Sequence, residues 1–151
     1  MKSEQMDSTD HRILQELKRD CRRSYRELAA SVGISPATMI ERMRRLEKEG
    51  VITGYSANFD YLKLGFEFMA IVQISIHGDL LKIQEKISRL KGVASVYDTT
   101  GQHDSVAILM CKNRQELSAL VKKILAIPGV ENTNTNMVLN VVKRIVDFEQ
   151  T

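Results

Sequence analysis

Apolar residues recur along this chain in two rhythms, and the change from one to the other divides it. At first they return every three or four positions: Ile13, Leu14 and Leu17, then Leu28, Ala29 and Val32, then Met39, Met43 and Leu46. That spacing predicts three helices, each with one buried stripe. Each run also carries a start signal. Asp7 is placed to cap the first helix with Asp10 in its opening turn, Ser24 and Glu27 make an S-x-x-E capping box for the second, and Ser35 caps the third with Pro36 at the first helical position. The stops follow: a polar stretch over residues 20–23, then Gly33 with Ile34 behind it as a core anchor, then Gly50 after a third helix expected over residues 36–49. Two capped helices joined by a tight turn predict a helix-turn-helix. Residues 51–59 read as extended chain interrupted at Gly54, a small wing or a linking strand.

From residue 66 the pattern becomes alternation. Residues 66–76 (FEFMAIVQISI) predict a strand, and Asp79 then caps a helix with Leu80, Ile83, Ile87 and Leu90 inward. Strands over 93–99 and 105–111 flank Gly101-Gln102-His103-Asp104 as a hairpin with a polar tip. A helix over 113–127 turns Leu117, Leu120, Val121, Ile124 and Leu125 inward, and a last strand runs from about residue 132 to 146. The sequence Ile87-x-x-Leu-x-Gly92-Val93 returns as Ile124-x-x-Ile-x-Gly129-Val130, each copy a helix end turning into a strand. A β-α-β unit repeated twice predicts a ferredoxin-like βαββαβ sandwich, four antiparallel strands with two helices on one face. The chain is thus expected to be α+β, with a (winged) helix-turn-helix over 1–53, a linker strand and hinge over 54–65, and the sandwich over 66–151. The other sheet face is partly apolar, and a second copy of the chain is its economical cover, so at least a homodimer is expected.

Composition changes this picture little. With 151 residues and 43% hydrophobic content there is room for two small cores, and the net charge of +3 is a mild bias spread over both halves. Local charge says more. Lys18, Arg19, Arg22, Arg23 and Arg26 crowd one segment, while Arg42, Arg44, Arg45 and Lys48 crowd another. The side of the third helix opposite its buried stripe is centred on Glu41 and carries Ala37, Thr38, Arg44, Arg45 and Lys48, a surface that suits double-stranded DNA. A charged helix face standing alone is more often only solvated; the capped helix pair and turn in front of this one reverse that weighting. Ala37 and Thr38, near the helix start beside the Ser35 cap, are the expected base readers, and Arg44, Arg45 and Lys48 the expected contacts to phosphates or guanine edges. Arg42 flanks the stripe and fits two roles equally, bracing the fold or reaching a phosphate. Arg22, Arg23 and Arg26 fit backbone phosphate contacts or a solvated loop.

Other chemistries lack their patterns. There is no apolar run of signal-peptide or membrane-spanning length, and a cytoplasmic protein is expected. Cys21 and Cys111 have no paired spacing for a disulfide or zinc site, and His11, His77 and His103 are scattered. No metal-ligand, nucleophile-triad or phosphate-loop spacing occurs, so neither a cofactor nor catalysis is expected.

Taken together the residues resemble the Lrp/AsnC (feast/famine) transcriptional regulators over essentially the whole chain. The resemblance rests on Asp7-x-x-Asp10-x-x-Ile13-Leu14, Leu28-Ala29-x-x-Val32-Gly33-Ile34-Ser35, Arg42-x-x-Arg45-Leu46-Glu47-x-x-Gly50-Val51-Ile52-x-Gly54-Tyr55 and Gly129-Val130-x-x-Thr133-x-Thr135-x-Met137-Val138-Leu139. It implies a DNA-binding head joined to a ligand-sensing domain that assembles into dimers and often larger rings such as octamers. It also implies a small-molecule effector, commonly an amino acid, held between neighbouring sensing domains. Gly101, Gln102, His103 and Asp104 fall at the family's G-x-x-D loop, and Thr133 and Thr135 on the strand facing that cleft. Gly101 lets backbone amides approach a carboxylate and Asp104 suits an ammonium group, although a plain hairpin turn explains the same four residues. Asn132, Asn134 and Asn136 alternate with the threonines on the opposite side of that strand. Glu41 stands where several relatives carry a basic or neutral residue, and His103 where tyrosine is common, which leaves base preference and effector open. Two rival readings have a similar outline: a weakly specific nucleoid-like DNA organiser, and a tetrapyrrole decarboxylase, which the scattered histidines disfavour.

Overall fold

The first three helices form where their capping residues dictate. In a computed structural model that describes residues 6–143, α1 spans Ser8–Arg19, α2 Tyr25–Val32 and α3 Pro36–Lys48. Asp7 and Asp10 close a reciprocal box on α1, with Asp10 N donating to Asp7 Oδ1 at 2.9 Å and Asp7 N to Asp10 Oδ2 at 3.0 Å. Ser24 and Glu27 do the same for α2, which ends at Gly33 in the left-handed conformation. Ser35 Oγ accepts from Thr38 N at 3.1 Å to start α3. The three stripes meet in one core of Ile13, Leu28, Ala29, Val32, Met39, Met43 and Leu46, with Leu14, Leu17, Ile34 and Ile52 packed against it.

The wing or linking strand expected over 51–59 is not seen among the described residues: the segment bends at residues 51–52 and belongs to no strand. Its first amides, those of Val51 and Ile52, are spent on the Leu46 carbonyl at the end of α3, at 2.9 and 3.1 Å. Side chains hold it instead, Ile52 in the core and Tyr55 with its hydroxyl donating to Glu47 Oε1 at 2.8 Å.

The chain divides between Asn58 and Phe59 into two units, so the segment expected as a separate linker, 54–65, is shared between them. In the second unit β1 (Phe68–Ile76), α4 (Leu80–Ser88), β2 (Val93–Asp98), β3 (Ser105–Cys111), α5 (Arg114–Leu125) and β4 (Val130–Met137) follow the βαββαβ order. The strands lie in the order β2-β3-β1-β4, every neighbouring pair antiparallel. Ala70, Val72, Ile74, Ala107, Leu109 and Cys111 face the helices and bury Ile83, Ile87, Leu117, Leu120 and Ile124.

Two details differ from the sequence pattern. Leu125, expected inward, is 43% exposed, because it sits roughly a quarter turn from the stripe centred on Leu117, Leu120 and Ile124. The last strand ends at Met137, not near residue 146. Among the described residues its partner is β1, where Met137 lies opposite Ala70 and Val138 N takes the Met69 carbonyl at 2.9 Å, one residue from the start of β1 at Phe68. Residues 144–146 of the expected strand lie outside the described residues.

The internal echo has a packing cause. The Gly92 carbonyl accepts from Met110 N at 2.8 Å and the Gly129 carbonyl from His77 N at 2.7 Å, so each copy ties a helix exit to the end of a central strand. Both glycines have positive φ and a backbone atom close by, where a side chain would collide.

Candidate nucleic-acid interface and sensing loop

The outward face of α3 is set by which side its core stripe takes. Ala37, Glu41, Arg44 and Lys48 are exposed along it, and Ser35 is exposed at its cap. Among the described residues no side-chain bond or ion pair occupies Glu41, Arg44 or Lys48. Thr38 is half-buried with its hydroxyl 2.8 Å from Ser35 Oγ, so the expected base reader is also part of the cap.

Arg45 is not on that surface. Its Nη2 donates to Asp10 Oδ2 at 2.5 Å, and Arg42 Nη1 donates to Asp10 Oδ1 at 2.8 Å and to Asp7 Oδ2 at 2.7 Å. The two guanidiniums are only 25% and 24% exposed, and the Asp10 side chain is fully buried. Of the two roles open to Arg42, the structure therefore has it bracing α3 against α1. For Arg45, expected outward, the placement is a correction. Its position at the shoulder of the helix lets the long side chain swing toward a buried anion, which outbids water for a cation. Burial tends to raise the Asp10 carboxyl, but Arg45, the Asp7 backbone hydrogen bond and Arg42 together hold it down at about 2. The sequence reading missed this role for Asp10; its spacing from Asp7 marked it as a capping residue, and nothing local marked it as a counter-ion.

The arginine cluster around the start of α2 divides too. Arg23 braces the fold, donating to Glu16 Oε2 at 2.5 Å, to the Glu27 carbonyl at 3.0 Å and to the Ser31 hydroxyl. Arg22 is exposed and holds Asp20 at 3.1 Å, and Arg26 is exposed with no ion pair among the described residues.

In the second unit the 101–104 loop closes on the end of β1. Asp104 N donates to the Ile74 carbonyl at 3.1 Å, and its Oδ2 accepts from Ile76 N at 2.8 Å. That bond satisfies an amide at the point where the β1–β4 register shifts, between Ser75 and Ile76. One carboxylate oxygen of Asp104 is thus occupied structurally, which narrows its expected part as an ammonium acceptor to the other. His103 Nδ1 lies 3.2 Å from Ser75 Oγ, and its carbonyl accepts from Thr99 Oγ1 at 3.0 Å. Gly101 and Gln102 are exposed at the tip, Gly101 with φ +125°. Thr133 pairs opposite Ile74 and Thr135 opposite Val72, so both threonines share the helix-bearing side of the sheet. Asn132, Asn134 and Asn136 pair opposite Ser75, Gln73 and Ile71 on the helix-free side, where Asn134 Nδ2 donates to Gln73 Oε1 at 3.2 Å. The loop and Thr133 therefore converge at the end of β1, but His103 and the two threonines lie toward opposite faces within one chain.

A capped helix-turn-helix followed by a ferredoxin-like domain defines a two-part transcriptional regulator, one part for DNA and one for a ligand. Residues 6–53 match the family described as winged helix-turn-helix DNA-binding, and residues 69–146 match the Lrp/AsnC ligand binding domain. The chain belongs to the Lrp/AsnC family of transcriptional regulators. It is 39% identical over 140 residues to an HTH-type transcriptional regulator of Pyrococcus furiosus, covering 92% of this chain and 95% of the relative. Among solved structures it is similar to AsnC of Escherichia coli, with a TM-score of 0.85 at 28% identity over 95% of this chain and 99% of that one. It is also similar to a feast or famine regulatory protein from Mycobacterium tuberculosis complexed with L-methionine, with a TM-score of 0.86 at 27% identity over 93% and 97%.

Proposed function

We propose that this chain is a sequence-specific DNA-binding regulator of transcription whose second domain forms a homodimer and senses a free amino acid. The observation that carries the DNA part is the outward face of α3, where Ala37 and Glu41 lie ahead of Arg44 and Lys48, two cations with no ion pair among the described residues. Arg22 and Arg26 add exposed charge beside α2. In this reading those four cations meet phosphates, while Ser35, Ala37, Thr38 and Glu41 face base edges or the backbone beside them.

Dimerisation is supported by the helix-free sheet face, where Met69, Ile71, Val106, Ile108, Met110 and Tyr97 form an apolar surface. Two copies packed through it bring two reading helices to one duplex, and larger rings follow if dimers associate further. Amino-acid sensing is supported by the loop Gly101, Gln102, His103 and Asp104 at the end of β1 with Thr133 and Thr135 near it. It is supported as well by the L-methionine complex of the M. tuberculosis relative.

The test couples two measurements. Footprinting across unrelated DNA fragments gives discrete protected half-sites for a specific regulator and uniform protection for an organiser. A thermal-shift screen against the proteinogenic amino acids raises the melting temperature for the effector; at a hundredfold excess over Kd the stabilisation is about 2.7 kcal/mol. Uniform protection overturns sequence specificity, and a flat screen overturns amino-acid sensing.

A further inference from the structure

Glu41 is the one acidic side chain at the centre of the α3 outward face, and among the described residues it has no counter-ion. Its natural i+4 partner on the helix is Arg45. That guanidinium is drawn away to the buried Asp10 at 2.5 Å, and Arg44, at i+3, makes no bond to Glu41 either. Ala37, one turn earlier on the same face, is short and lets the helix approach a groove closely, while Arg44 and Lys48, one and two turns later, are placed as phosphate contacts. A bare carboxylate among DNA phosphates is repelled unless it meets a hydrogen-bond donor.

Base edges in the major groove offer few such donors. Guanine presents only N7 and O6 and thymine only O4 with a methyl group, all unable to donate to a carboxylate. Adenine offers N6–H but sets the N7 acceptor beside it, which repels the second carboxylate oxygen. Cytosine offers N4–H with no acceptor on its own groove edge. We infer that Glu41 is a specificity-determining residue that accepts a hydrogen bond from cytosine N4 and excludes the other bases at that position. This rests on the proposed DNA-binding reading. In a twofold assembly the requirement falls once in each half-site.

The experiment is selection from a randomised duplex pool by the full chain, for wild type, Glu41→Gln and Glu41→Ala. Because Glu41 is exposed and makes no bond among the described residues, both variants keep the wild-type melting temperature. Wild type selects cytosine at one position per half-site with roughly tenfold or greater discrimination. Glu41→Gln, which gains an amide donor and keeps an acceptor, moves the preference to adenine. Glu41→Ala loses the preference at that position alone and binds random duplex severalfold more tightly at low salt, one negative charge having gone. Identical selected sequences from all three proteins overturn the inference while leaving the regulator reading intact. A wild-type pool with no enriched sequence overturns both.

Discussion

Asp10 and Arg45 are joined by a 2.5 Å hydrogen bond between a fully buried carboxylate and a guanidinium from the helix proposed to read DNA. Arg42 takes the other oxygen, so one anion at the start of α1 anchors two cations of α3. Removing it takes one carboxylate from Arg42, which keeps Asp7, takes from Arg45 its bond to a buried anion, and opens the α1 capping box. Asp10→Ala is therefore expected to lower stability by about 3 kcal/mol in equilibrium urea unfolding. Wild-type stability in that variant would show the network to be ornamental.

The same carboxyl sets an acid limit. Its ordinary value of 3.8 falls to about 2 in the folded chain, so the unfolded chain takes up the proton first as pH drops. The stabilisation is complete above about pH 5 and is lost as pH falls toward 2, an effect of about 2 kcal/mol. Asp7, lowered by the Asp10 backbone hydrogen bond and Arg42, and Glu16, lowered chiefly by Arg23, act in the same direction. Unfolding free energy measured from about pH 6 down to about pH 2 should decline less steeply for Asp10→Asn than for wild type. Parallel profiles would place the acid sensitivity elsewhere.

Arg44 and Arg45 are neighbours with opposite expected phenotypes. Arg44→Ala should leave urea unfolding unchanged, weaken DNA binding and reduce the slope of log K against log salt by roughly one. Arg45→Ala should lower stability by about 2 kcal/mol, because it takes from a buried anion one of its two guanidinium partners. If salt titrations gave Arg45→Ala the reduced slope with no loss of stability, the assignment of these two residues would be reversed.

Gly129 and Gly101 share a positive φ but not an environment. A methyl group on Gly129 would overlap Ile83 Cδ1 and lie 2.7 Å from the His77 carbonyl oxygen, whereas none of the surrounding atoms lies within 4 Å at Gly101. Gly129→Ala should cost about 3 kcal/mol or more and Gly101→Ala about 1 kcal/mol of backbone strain, read as thermal unfolding. Equal losses would mean the helix exit at Gly129 relaxes freely.

Much of this fold was readable because its signals are local. A cap such as Ser24, Ser35 or Asp79 acts within three residues, and a stripe such as Met39, Met43 and Leu46 repeats within two turns, so both are written in consecutive sequence. The echo at Gly92 and Gly129 was readable for the same reason. The end of β4 was not, since it falls near the start of its partner β1, and that register is set across the sheet rather than within the segment. The wing failed likewise: whether an extended segment becomes a strand depends on a partner that the segment itself does not encode.

The amino-acid order alone was enough for the two-domain α+β plan, the capped third helix with Glu41 at the middle of its outer face, and the family to which the chain belongs. Which cations on that helix stay outside was decided by folding. Arg44 and Arg45 are indistinguishable as residues and adjacent in sequence, yet Asp10, distant along the chain, takes one and leaves the other. Likewise folding gives one oxygen of Asp104 to the Ile76 amide and leaves the other for the proposed ligand role. Charged side chains are long, and their partners are chosen by proximity in space and by burial, which no spacing rule along the chain contains.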